Sequence, residues 1–68
     1  MKVYIVESHD DWHESHYILD VWATKEAAVA NLMEYTEDLV YDERRDQYKY
    51  SDPDITRYYE ISEHTVRN

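Results

Sequence analysis

The sequence predicts an α+β fold: a small three-stranded antiparallel sheet in the order ββαβ, with one amphipathic helix laid on one face. Three observations predict it. β-Branched and aromatic residues alternate in two early runs, KVYIVE and HYILDVWA, as strands require. Apolar residues then recur at helical spacing after Thr24. A last alternating run follows SDPD, which holds the only proline of the chain.

The first strand is expected from Lys2 to Glu7, with Val3 and Ile5 on one side and Tyr4 and Val6 on the other. The second runs from His16 to Ala23, with Tyr17, Leu19, Val21 and Ala23 opposed to Ile18, Asp20 and Trp22. The polar stretch between them becomes a hairpin loop of about eight residues, longer than the usual two to five. Thr24 is placed as a helix N-cap and Glu26 sits near the positive end of the helix dipole. Ala28, Leu32, Tyr35 and Leu39, flanked by Val29, Met33 and Val40, form one stripe. That stripe carries the expected helix toward Arg44 and Arg45, whose cations suit a C-terminal turn.

Ser51-Asp52-Pro53-Asp54 is the strongest turn signal, since proline fixes φ and the neighbouring side chains bond local backbone. The final strand is expected from Ile55 to Val66. Tyr59 and Ile61 are in one phase and His64 and Val66 in the other, which places a β-bulge near Ser62-Glu63. With Val3, Ile5, Leu19, Val21, Tyr59 and Ile61 under the helix, the uncovered face would hold Tyr4, Val6, Ile18, Trp22 and Tyr58. Such an apolar face is a candidate homodimer interface; the alternatives are a surface for another protein, or cover by residues 44–54 folding back over it.

Sixty-eight residues form a single domain, residues 1–68, with a small core. Sixteen acids against seven bases give a formal charge of −9, which argues against direct binding to nucleic acid or an anionic membrane. A basic partner is the complementary expectation. Eight tyrosines and two tryptophans exceed what disordered segments carry, so the chain is read as folded. No apolar run approaches a membrane span, the N-terminal MKVYIVE does not read as a signal peptide, and the lack of cysteine fits a cytoplasmic location.

Residues KVYIV at the start, YILDVWATKEAAVANL and YYEISEHTV resemble a group of very small proteins encoded by bacteriophages and other mobile elements. The matching phrases are Val21-Trp22-Ala23-Thr24-Lys25-Glu26, a strand leading into a helix, and Tyr59-Glu60-Ile61-Ser62-Glu63 in the last strand. The resemblance covers about two thirds of the chain, omits ERRDQYKYSDPD, and implies a ββαβ fold and a phage origin, hence the cytoplasm of a bacterial host. It transfers no catalytic residue.

The stretch ESHDDWHESH raises a metal question, because His9, His13 and His16 could act as ligands with Asp10, Asp11 or Glu14 as a fourth. In a hairpin loop their helical spacing loses its meaning, so a solvated acidic loop is expected, without cofactor, its Trp12 either folded onto the sheet edge or projecting as an anchor for a partner. Acids are everywhere, so paired carboxylates do not identify general acid–base chemistry. The absence of glycine removes phosphate-cradling loops and nucleophile elbows. No enzymatic activity is expected.

Glu34, Glu37, Asp38, Asp42 and Glu43 would lie on the solvent side of the extended helix, where carboxylates recur at about 5–6 Å per turn. Such a row imitates a nucleic-acid backbone, and Trp12, Tyr41 and Tyr48 are candidate anchors beside it. The expectation is a non-enzymatic phage-type inhibitor, of the anti-CRISPR or anti-restriction kind, that binds a basic, nucleic-acid-binding host or defence protein. The alternatives are a homodimeric accessory protein and a small-ligand sequestering protein with its site in a dimer groove.

Overall fold

The computed structural model describes residues 1–67. Two long strands open the chain, β1 (Lys2–Asp10) and β2 (Ser15–Trp22), followed by the helix α1 (Lys25–Tyr35). Two short strands, β3 (Leu39–Asp42) and β4 (Gln47–Tyr50), precede the long β5 (Arg57–Thr65). All pairs are antiparallel and the sheet order is β2-β1-β5-β4-β3. The sheet therefore has five strands in the order ββαβββ, which corrects the three-stranded ββαβ expectation.

The difference arises after Tyr35. Thr24 caps the helix as expected, its hydroxyl accepting from the Ala27 N–H at 3.1 Å, and Ala28 and Leu32 are buried. The helix stops at Thr36, an extended residue whose N–H still bonds the Leu32 carbonyl. Continuing it would stack Glu34 on Asp38 and Asp38 on Asp42, like charges one turn apart. The backbone instead turns through Asp38 at φ 65° and enters β3, where Leu39 and Val40 become strand residues. Leu39 fits the helical stripe and also alternates with Tyr41, so periodicity does not separate the two outcomes.

The faces of the sheet are also redistributed. β1 meets β2 with a register shift at Val6/Glu7: Val6 pairs with Asp20, Glu7 pairs with Ile18, and Leu19 is the extra residue. This bulge lets Leu19 and Trp22, two residues of opposite strand phase, both pack against the core of Val6, Ala28, Leu32, Tyr48 and Tyr59. The β1–β5 ladder, by contrast, runs unbroken from Lys2↔Thr65 to Asp10↔Arg57. The bulge expected at Ser62-Glu63 is absent there, and the one that forms lies in β2.

Val6, assigned to the uncovered face, is 2% exposed under the helix, and Tyr4 and Trp22 pack beside it. Val3, Ile5 and Val21 take the opposite side, because Ile5 faces Val21 across the ladder while Tyr4 faces Trp22. The turn between β1 and β2 is short, Asp11–Glu14, because His9 and Asp10 extend β1. Asp10 closes it: its Oδ1 accepts from the backbone N–H groups of Trp12 and His13 at 3.1 and 3.3 Å. Asp42 and Asp52 do the same in the next two turns, accepting from Arg44 N–H and Asp54 N–H. Without glycine, left-handed backbone falls to Glu14, Asp38 and Asp46, at φ 52°, 65° and 53°.

Candidate functional site

Side chains that carry chemistry gather on the sheet face away from the helix. Glu7 and His9 alternate onto that face of β1, with Ser8 between them buried on the other. The registers place His16 opposite His9 on one side, and Glu60 and Tyr58 opposite Glu7 and His9 on the other. Three neighbouring strands thus bring two imidazoles and two carboxylates together. His9 Nε2 lies 3.3 Å from Glu7 Oε2 and 3.1 Å from Glu60 Oε1, and His16 Nε2 lies 3.2 Å from the same Glu7 oxygen. The His9 ring stacks between those of His16 and Tyr58, with centroids 4.2 and 5.0 Å away.

The sequence reading named His9 and His16 but not Glu7 or Glu60. His13 does not join them: it stays in the turn, its Nδ1 3.0 Å from Asp10 Oδ2. Asp10 itself points to the helix side, where it also accepts from the Thr56 hydroxyl at 2.6 Å. That hydroxyl and the His13 ring hold the Asp10 carboxyl well below the usual carboxylate range. Arg57 lies over the Tyr17 ring at 5.7 Å and donates to Ser8 Oγ, so this second polar group is internally satisfied and braces the turn against β5.

The five acids assigned to a helical row are dispersed. Glu34 stands in the last turn of α1, Glu37 and Asp38 in the connection to β3, Asp42 at the end of β3 and Glu43 in the following turn. The row is therefore corrected to two acidic ends. Asp42 is held locally by Lys49 at 3.4 Å. Partial burial pushes its carboxyl up, but the Lys49 hydrogen bond and charge, with the Arg44 and Arg45 amides, bring it below its ordinary value. At the other end the Ser51 N–H bonds the Asp38 carbonyl at 3.0 Å, so the loop of Glu37 and Asp38 meets the turn of Asp52 and Asp54.

Among the candidate anchors, Trp12 projects from its turn with 78% of its surface exposed. Tyr41 is also exposed and donates to Asp46 at 2.7 Å; that bond, with some burial, raises its hydroxyl to about 12. Tyr48 is buried in the core and is no surface anchor. Of the residues expected on a dimer face, Ile18 and Tyr58 remain on the uncovered side, Ile18 being 60% exposed.

Among the described residues, no helix is long and apolar enough to cross a membrane. Comparison with protein-family models, curated proteins and solved structures gives no match.

Proposed function

We propose that this chain is a non-catalytic inhibitor, of the kind mobile elements direct against host or defence proteins, that binds a basic partner in competition with nucleic acid. One observation carries the reading. Glu34, Glu37, Asp38, Asp52 and Asp54 stand exposed around the junction of the α1–β3 and β4–β5 connections. Among the described residues, the Lys and Arg ion pairs go to Glu63, Asp42 and Asp10, so none is made with these five acids. An exposed acidic end on a chain of charge −9 steers a basic groove toward it.

The test is capture of partners from host lysate with tagged protein, washed over a salt series and read by mass spectrometry. A nucleic-acid-binding protein that elutes as salt rises is expected, and Glu34→Lys, Glu37→Lys and Asp54→Lys together abolish its retention. Retention by the triple variant rejects this end as the contact.

Self-association is the second reading, because Ile18 and Val21, 60% and 50% exposed, share the uncovered face with Val3 and Ile5. Light scattering on Ile18→Glu decides it: a dimer that becomes a monomer supports the face, and a monomeric wild type removes it.

A further inference from the structure

We propose that Glu7, His9 and His16 bind one divalent transition-metal ion of the zinc type on the uncovered face of the sheet, with Glu60 beside His9. The first ground is distance. Zinc bonds to imidazole nitrogen and carboxylate oxygen are about 2.0–2.2 Å long, so neighbouring ligand atoms of a tetrahedral site stand about 3.3–3.6 Å apart. The contacts of Glu7 with His9 and His16 are 3.3 and 3.2 Å, and the ligand atoms of Glu7, His9 and His16 all lie within 4.8 Å of one another. Both histidines present the same ring nitrogen, Nε2, to the Glu7 carboxylate.

The second ground is charge. Two carboxylates face two imidazole nitrogens, and among the described residues no Lys or Arg forms an ion pair with Glu7 or Glu60. An Nε2–H on each ring satisfies these contacts, and a metal ion takes the same place between nitrogen and carboxylate when it displaces that proton. Two imidazoles and a carboxylate suit a first-row divalent ion better than calcium or magnesium, which take all-oxygen sites.

The third ground is rigidity and its origin. The ligands sit on two paired strands, β1 and β2, rather than on a loop, with Tyr58 of β5 stacked behind His9. The bulge at Leu19 is what brings His16 to this face: Trp22, on the helix side, and His16 are an even number of residues apart, so a regular strand would put them on the same side. The His9 and His16 rings lie 16° from parallel. Their lone pairs converge on one ion when the His16 ring turns out of the stack, and its side chain, 57% exposed, has room to turn.

Calorimetry of EDTA-treated protein with Zn²⁺ at neutral pH tests the site. The expected result is one ion per chain, at least about tenfold weaker binding in Glu7→Gln and in His16→Ala, and unchanged binding in His13→Ala. A wild-type measurement guards against folding defects in the variants: in ¹⁵N spectra of the imidazoles, Zn²⁺ moves the Nε2 signals of His9 and His16 and leaves those of His13 and His64 in place. Absence of binding, full affinity in both ligand variants, or shifts centred on His13 or His64 overturn the proposal.

Discussion

The β2-β1-β5 half of the sheet and the β3–β4 hairpin are built on different terms. β1 and β5 pair from Lys2↔Thr65 to Asp10↔Arg57, and α1 packs across β1, β2 and β5. The hairpin joins that body through the pairs Tyr48↔Tyr59 and Lys49↔Tyr58. Its main buried group is Tyr48, and a chain of hydroxyls, Thr36 to Tyr50 at 2.8 Å and Tyr50 to Tyr59 at 3.2 Å, ties it to the helix end. One half is held by buried apolar area and a long ladder; the other is held by aromatic contacts and a few polar bonds. Local opening is therefore expected to begin in the hairpin.

The largest break should come from Leu32→Ala, which empties the centre of the helix-covered half. Loss of about 2–5 kcal/mol is expected, read as a fall in the denaturant midpoint, and both halves unfold together. Acid comes next, acting through Asp10. Its folded-state pKa is depressed, chiefly by the Thr56 hydroxyl and then His13, so its stabilisation is present above the unfolded value of about 3.9 and is lost as pH falls below it. Asp10→Asn should flatten the melting-temperature decline below about pH 4; an unchanged decline assigns acid sensitivity elsewhere.

Tyr59→Phe is the sharper probe of the hairpin. It removes the hydroxyl that meets Tyr50, at an expected cost of about 0.5–1.5 kcal/mol, and amide exchange should quicken in β3 and β4 more than in β1. Equal quickening everywhere would erase the distinction between the halves. The smallest effect is a gain: Glu14→Gly relieves left-handed backbone at φ 52° and should add about 0.5 kcal/mol after the flexibility of glycine in the unfolded chain is subtracted.

The same division separates what the sequence made legible from what it hid. The Thr24 cap, the buried Ala28 and Leu32, the long strands and the SDPD turn are local signals, set by residues a few positions apart, and they appear where expected. The hairpin was hidden because Leu39 and Val40 satisfy helix and strand spacing alike, and because its turn carries Asp46 where a glycine would have announced it. Placing Leu19 and Trp22 together, with Ile18 on the other face, required the bulge, and nothing in SHYILDVW marks Leu19 as the extra residue. At the histidine cluster, Glu7 and His9 are two apart on a strand and could have been read as sharing a face. Glu60 could not, since only the β1–β5 register brings it there.

The glycine-free turns couple two properties that most proteins keep apart. Asp10, Asp42 and Asp52 close the turns by accepting backbone N–H groups, while Glu14, Asp38 and Asp46 adopt the left-handed backbone. Part of the negative charge is therefore grammar rather than message: these carboxylates punctuate the chain. Sequence drift toward neutrality is consequently channelled. At the positions that accept N–H groups asparagine can take the place of the charge, and at the left-handed positions asparagine or glycine can.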